Sequence, residues 1–115
     1  MEYRKYEKPM AVEQLLFKVK PDLVDKFIKL DHEIWTKALA RYPGFVSKEV
    51  WVSDTNAGEV MTVVYWEDLE SWKSIDHQEL NEINERFQEA MGEGNAVLHR
   101  ELHKESQFYK VTDYK

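Results

Sequence analysis

Apolar positions along this chain switch between strand-like runs and helical spacing, and the switches lay out the elements in order. Residues 11–19 (Ala-Val-Glu-Gln-Leu-Leu-Phe-Lys-Val) are dense in strand-forming side chains and predict a first strand. Pro21 follows, with Asp22 and Asp25 behind it; proline suits a first helical turn and carboxylates suit the positive end of a helix. Val24, Phe27, Ile28, Trp35, Leu39 and Tyr42 then recur at helical spacing, so the helix runs to about residue 42, where Pro43-Gly44 stops it. Residues 46–52 and 60–66 predict two strands, and the polar loop Ser53-Asp54-Thr55-Asn56-Ala57-Gly58-Glu59 makes them a hairpin. Asp68 is placed to cap a second helix whose apolar stripe starts with Leu69, Trp72 and Ile75. Asp76-His77-Gln78-Glu79 has the form of a capping box and predicts a restart, after which Leu80, Ile83, Phe87, Ala90 and Met91 continue to Gly92 and Gly94. Residues 96–102 predict a fourth strand and 108–111 a short fifth, while residues 1–9, charged and without period, predict a mobile arm ahead of a single domain over 10–115. The order βαββαβ defines an α+β, ferredoxin-like domain with an antiparallel sheet.

The hairpin pattern carries a second implication. With the turn centred on Asn56, Val52 faces Val60, Val50 faces Thr62, Lys48 faces Val64 and Val46 faces Trp66; the opposite face sets Ser47, Glu49 and Trp51 against Tyr65, Val63 and Met61. Both faces are largely apolar, whereas an antiparallel sheet open to water alternates apolar with polar. Two helices can cover one face. The other, with Trp51, Met61, Val63 and Tyr65, calls for a twofold partner, and a homodimer is the expectation. The alternative is a monomer with an exposed aromatic sheet, at risk of aggregation.

Composition narrows the picture further. A chain of 115 residues fits one domain. Its net charge of −6 argues against nonspecific binding to nucleic acid or an anionic membrane, because both require positive surface. The chain has no cysteine, which removes disulfides and thiolate chemistry, and no apolar run long enough to span a bilayer or serve as a signal core; a cytoplasmic location is the default. Dinucleotide, P-loop, nucleophile-elbow and zincin motifs are missing, so the sequence offers no support for those chemistries.

Asp31 stands out as a candidate catalytic group. It lies one turn after Phe27 and one turn before Trp35, on the buried stripe, where a carboxylate needs a partner. It is either an acid, base or polar anchor in a pocket between helices and sheet, or an edge residue bonded to a nearby donor; Lys48, facing the helices, is that donor's natural candidate. On the first reading Asp31→Leu disturbs binding more than folding. Trp35, Trp66 and Trp72 either line one aromatic pocket suited to a flat apolar ligand or are plain core. His99 and His103 have metal-ligand spacing only on a helix, and this segment reads as strand without a third ligand, so no metal site is expected.

Together, the strand, the long helix, Pro43-Gly44-Phe45, the hairpin, Trp66 and the Trp72-bearing helix make residues 10–110 similar to the dimeric α/β-barrel superfamily, in its antibiotic-biosynthesis-monooxygenase-like branch. Glu13-Gln14-Leu15, Trp35-Thr36, Lys48-Glu49-Val50-Trp51 and Trp66 followed by Trp72-Lys73 resemble a subfamily of that branch without an assigned activity. The resemblance implies a dimeric barrel and either a cofactor-independent oxygenase acting on a small aromatic molecule or a non-enzymatic dimer with structural tryptophans. It places Trp66 at a pocket position and implies no cofactor. Haem-degrading relatives use an Asn on the first strand and a Trp and a His on the second helix; here Gln14, Ile75 and Glu85 stand at those places, with His77 out of phase, so the resemblance does not extend to haem degradation.

Overall fold

The computed structural model describes all 115 residues. Five strands form one antiparallel sheet: β1 (Tyr3–Val19), β2 (Phe45–Val52), β3 (Glu59–Trp66), β4 (Ala96–Glu101) and β5 (Tyr109–Tyr114), in the order β2-β3-β1-β4 with β5 also beside β1. Between β1 and β2 the chain coils continuously through a 3-10 turn (Pro21–Leu23), α1 (Val24–Leu30), a π-helical turn (Asp31–Thr36) and α2 (Lys37–Leu39). After β3 come α3 (Leu69–Lys73) and α4 (His77–Met91), with α5 (Leu102–Glu105) between β4 and β5.

The local signals explain most boundaries. Asp68 accepts the Ser71 backbone N–H at 2.7 Å and starts α3; Asp76 accepts from the Gln78 N–H at 3.0 Å and starts α4, the expected restart. Gly44 sits at φ +92°, and a Cβ there would stand 2.4 Å from the Ser71 Cβ, so the Pro-Gly corner admits no other residue without displacement. The resulting tight corner sets Phe45 edge-on to Trp66, ring centroids 5.7 Å apart.

Two expectations are corrected. Residues 1–9 are not a structureless arm: Tyr3 through Pro9 are the first half of β1, pairing Tyr3 with Tyr114, Arg4 with Asp113 and Lys5 with Thr112. Lys8 binds Asp68 at 2.9 Å and the Tyr6 hydroxyl donates to Asp113 at 2.8 Å. This ribbon is solvated on both sides, so it shows no apolar period, and its partner lies at the far end of the chain. The hairpin register holds from Lys48↔Val64 to Val52↔Val60, but Phe45, not Val46, opposes Trp66; Val46 is an extra, bulged residue. The bulge turns Phe45 inward and leaves Val46 exposed.

The two apolar core clusters lie between the helices and one sheet face. One cluster joins Ala11, Val64 and Trp66 to Leu39, Trp72 and Ile75; the other joins Val19, Val60 and Ala96 to Phe27, Phe87 and Met91. The opposite face carries Val12, Gln14 and Leu16 of β1, Glu49 and Trp51 of β2, and Met61, Val63 and Tyr65 of β3; none of these joins either cluster. Trp51 is 48% exposed there. Val63 is buried by its own neighbours within one chain. Tyr65 donates to Glu49 at 3.1 Å and lies under the Lys110 ammonium, 4.8 Å from its ring centre. Burial, followed by the Glu49 hydrogen bond, pushes the Tyr65 hydroxyl up to about 12.

Candidate functional site

The site begins with sheet arithmetic. Across the helix-facing side, Glu13 pairs with Val64 and Val64 pairs with Lys48, so an acid and a base end one cross-strand row, two strand spacings apart. That is roughly 10 Å between their backbones. The next row sets Leu15 against Thr62 and Val50. Above these rows, helices and sheet separate to leave a cavity of about 640 Å³. Its walls are Leu15, Phe17, Val64, Trp35, Leu39, Trp72, Ile75 and Phe87, its polar groups Glu13, Asp31, Lys48, Thr62 and Glu101, and its α4 side carries Asn81, Asn84 and Gln88. This is ordinary size for a small-molecule site.

The π-helical turn arranges the deepest polar contact. In an α-helix Asp31 and Thr36 would point about 140° apart, five residues at 100° each. Here the Lys37 N–H reaches back to the His32 carbonyl, an i to i−5 bond that widens the coil and stacks residue 36 over residue 31. Both then meet one ammonium: Lys48 Nζ donates to Asp31 Oδ2 at 2.7 Å and to Thr36 Oγ1 at 2.9 Å. The two charged side chains are only 5% and 7% exposed, so this ion pair is buried. The same turn presents Trp35 to the cavity.

Glu13 is the group that sequence reasoning passed over. Its Oε1 accepts the indole N–H of Trp66 at 3.0 Å, its one protein hydrogen bond, which leaves Oε2 without a protein donor. Burial raises its carboxyl above the ordinary glutamate range, with Glu101 adding to the rise; the Trp66 hydrogen bond and the charges of Lys48 and Lys73 oppose it. Its mark in the phase of β1 becomes readable only once the inward face is known from the pairing with β3. Ala11, Leu15, Phe17 and Val19 share Glu13's face, and an acid among four inward apolar positions is the anomaly.

Asp31, Trp35, Lys48 and Trp72 all line the cavity. Trp66 does not: it is fully buried in the core behind the lining and reaches the site only through Glu13. Trp72 is clamped, with Lys73 Nζ 4.1 Å from its ring centre and the His103 ring edge-on at 4.6 Å. Burial lowers the His103 imidazole below its usual value, and its Nδ1 is buried without a partner. Gln14 pairs with Val63 and faces away from the cavity, while Ile75 lines it; Glu85 and His77 are exposed. No group of three or more His, Cys, Asp or Glu side chains converges on a point that could hold a metal. No helix is long and apolar enough to cross a membrane.

An antiparallel sheet roofed on one side by helices, with a cavity between, is the α+β ferredoxin-like architecture. The chain belongs to the antibiotic biosynthesis monooxygenase family, whose model matches residues 10–79. No curated protein matches it. Among solved structures it is similar to the monooxygenase from the ActVA-Orf6 gene of Streptomyces coelicolor in complex with nanaomycin D, at TM-score 0.62 and 18% identity over 82% of this chain and 87% of that one. SnoaB, a cofactor-independent oxygenase from Streptomyces nogalater, matches at TM-score 0.57 and 14% identity over 79% and 87%. A protein from Shewanella oneidensis matches at TM-score 0.57 and 16% identity over 97% and 100%. At these identities the likeness is one of fold.

Proposed function

We propose that this protein binds a flat, small aromatic molecule in the cavity between Trp35 and Trp72 and acts on it as a cofactor-independent monooxygenase, as a homodimer. The cavity carries the reading: aromatic walls with a few convergent polar groups suit such a ligand, and space left open beside Trp35 and Trp72 is not what a packed core leaves. A substrate rich enough in electrons reduces O₂ itself. A ring methylene and O₂ give a carbonyl and water, the substrate supplying every electron, so the atoms balance without a further reductant. The neighbours from the two Streptomyces species, a monooxygenase solved with nanaomycin D and a cofactor-independent oxygenase, support this chemistry by analogy of fold. Trp66, fully packed, fits the alternative role of a structural tryptophan.

The dimer part rests on the uncovered sheet face, where Trp51, Met61, Leu16 and Tyr65 would meet their copies about a twofold axis. Native mass spectrometry of the full chain with nanaomycin D, a panel of hydroxylated anthraquinones and haem tests both parts. The expected result is a dimer mass that gains one aromatic ligand per subunit and no haem. A monomer that retains none of the aromatic compounds would defeat the proposal.

A further inference from the structure

We infer that Glu13 touches a ring hydroxyl of the ligand and takes its proton, so that the cavity selects uncharged hydroxylated aromatics over aromatic acids. The inference rests on the aromatic-binding reading and adds a residue and a substrate class to it.

The charges around the cavity decide the selectivity. Glu13, Asp31, Glu101 and Lys48 are its charged lining residues. The sole cation among them is already committed, donating to both Asp31 and Thr36. An arene carboxylate would enter facing three acids with no uncommitted positive partner, and that desolvated charge is costly. A neutral phenol meets no such penalty. Its O–H needs an acceptor; Asp31 and Glu101 each already hold a lysine ammonium, whereas Glu13 meets no cation and its Oε2 carries no protein donor, on a side chain held in place by Trp66.

The geometry also fixes direction. Trp66 is fully buried, so its N–H pins Oε1 of a side chain that lines the cavity and leaves Oε2 as the oxygen free to accept. In the transfer, the ring O–H bond breaks, an O–H bond forms on Oε2, and the electron pair stays on the ring oxygen. That aryloxide is the electron-rich species O₂ attacks. Burial makes Glu13 a stronger base than a solvated glutamate, which brings its proton affinity closer to that of a phenol. The charged and titratable groups around it are Lys48 on β2, Asp31 beyond Lys48, Lys73 on α3, Glu101 on β4 and, beside Trp72, His103 on α5.

The probes are 2-naphthol, 2-methoxynaphthalene, which lacks the donor, and 2-naphthoate. Their affinities are measured by calorimetry for the full chain, for Glu13→Gln, which keeps an acceptor for the Trp66 N–H, and for Trp66→Phe, from about pH 5 to about pH 9. The expected wild-type result is naphthol tighter than its methyl ether by about ten- to a hundredfold at the alkaline end, as a hydrogen bond to a charged acceptor gives. That preference fades as acid protonates Glu13, and naphthoate is the weakest of the three. Glu13→Gln loses the preference and its pH dependence while keeping the ether's affinity. Trp66→Phe keeps the preference but moves its midpoint to higher pH, because the carboxylate has lost its stabilising donor. Equal preference in wild type and Glu13→Gln at every pH overturns the inference and leaves the aromatic pocket standing. Failure of the wild type to bind either neutral naphthalene removes the pocket and the inference with it.

Discussion

Replacing Lys48 with methionine removes the donor from a buried carboxylate while nearly conserving volume. In the native chain Nζ lies 2.7 Å from Asp31 Oδ2 and 2.9 Å from Thr36 Oγ1, with both charged side chains under a tenth exposed. Asp31 and Thr36 would then both lose their donor, in a place water barely reaches. Breaking a buried pair this way costs about 3–5 kcal/mol, whereas replacing both partners with apolar groups costs little or even stabilises. Against a total stability of about 5–15 kcal/mol the single change is severe. With unfolding entropy near 2.1 cal/mol/K per residue, a 115-residue chain loses about 12–20 °C in Tm for that energy. Asp31→Leu strands the Lys48 ammonium instead and is expected to fall in the same range. The double variant, Asp31→Leu with Lys48→Met, recovers most of the loss, giving a coupling of at least about 2 kcal/mol in a double-mutant cycle. Urea melts followed by circular dichroism at neutral pH read all four proteins. Single variants that each cost under about 1 kcal/mol, with a double variant equal to their sum, would refute the reasoning.

Three further outcomes are expected. Because burial raises the folded Glu13 carboxyl above its unfolded value, ionising it disfavours the folded state. Glu13→Gln therefore matches wild type below about pH 4 and is the more stable protein at pH 7–8, the gap opening as pH rises from the unfolded value of about 4.3 toward the raised folded one; parallel Tm-against-pH curves would contradict this. Trp51→Glu puts a charge on the uncovered sheet face and yields a monomer in size-exclusion chromatography with light scattering, while an unchanged dimer mass would place the interface elsewhere. Gly44→Ala meets both a φ of +92° and the Ser71 side chain, and lowers Tm by about 4–12 °C, the shift for about 1–3 kcal/mol; a Tm within 1 °C of wild type would deny the corner its constraint.

The sheet and helices were legible because their signals are local and redundant. Phe27 and Leu39 are both buried along one continuous coil, Asp68 and Asp76 each cap the turn that follows, and the Asn56-centred hairpin set the correct pairs from residue 48 to 52. What escaped depends on partners distant in the chain or on small departures from regular geometry. The Tyr3–Lys5 segment becomes strand only because residues 112–114 lie beside it. The Val46 bulge shifts one residue and thereby moves Phe45 against Trp66. Asp31 was conspicuous as an acid on an apolar stripe, and Lys48 followed as its donor, but the π-helical turn that adds Thr36 leaves no mark in spacing. Glu13 was hidden for another reason: residues 11–17 are apolar on both faces of the strand, so alternation did not reveal which side looks inward. Only the pairing of Glu13 with Val64, whose face the helices cover, decides it.

A crystal structure of the full chain grown with nanaomycin D tests the central claim most directly. Ligand density lying between Trp35 and Trp72, with an oxygen within hydrogen-bond distance of Glu13 Oε2 and the Asp31–Lys48 pair intact behind it, is the predicted result. A cavity holding only water, with the aromatic compound seated elsewhere or absent, would contradict it.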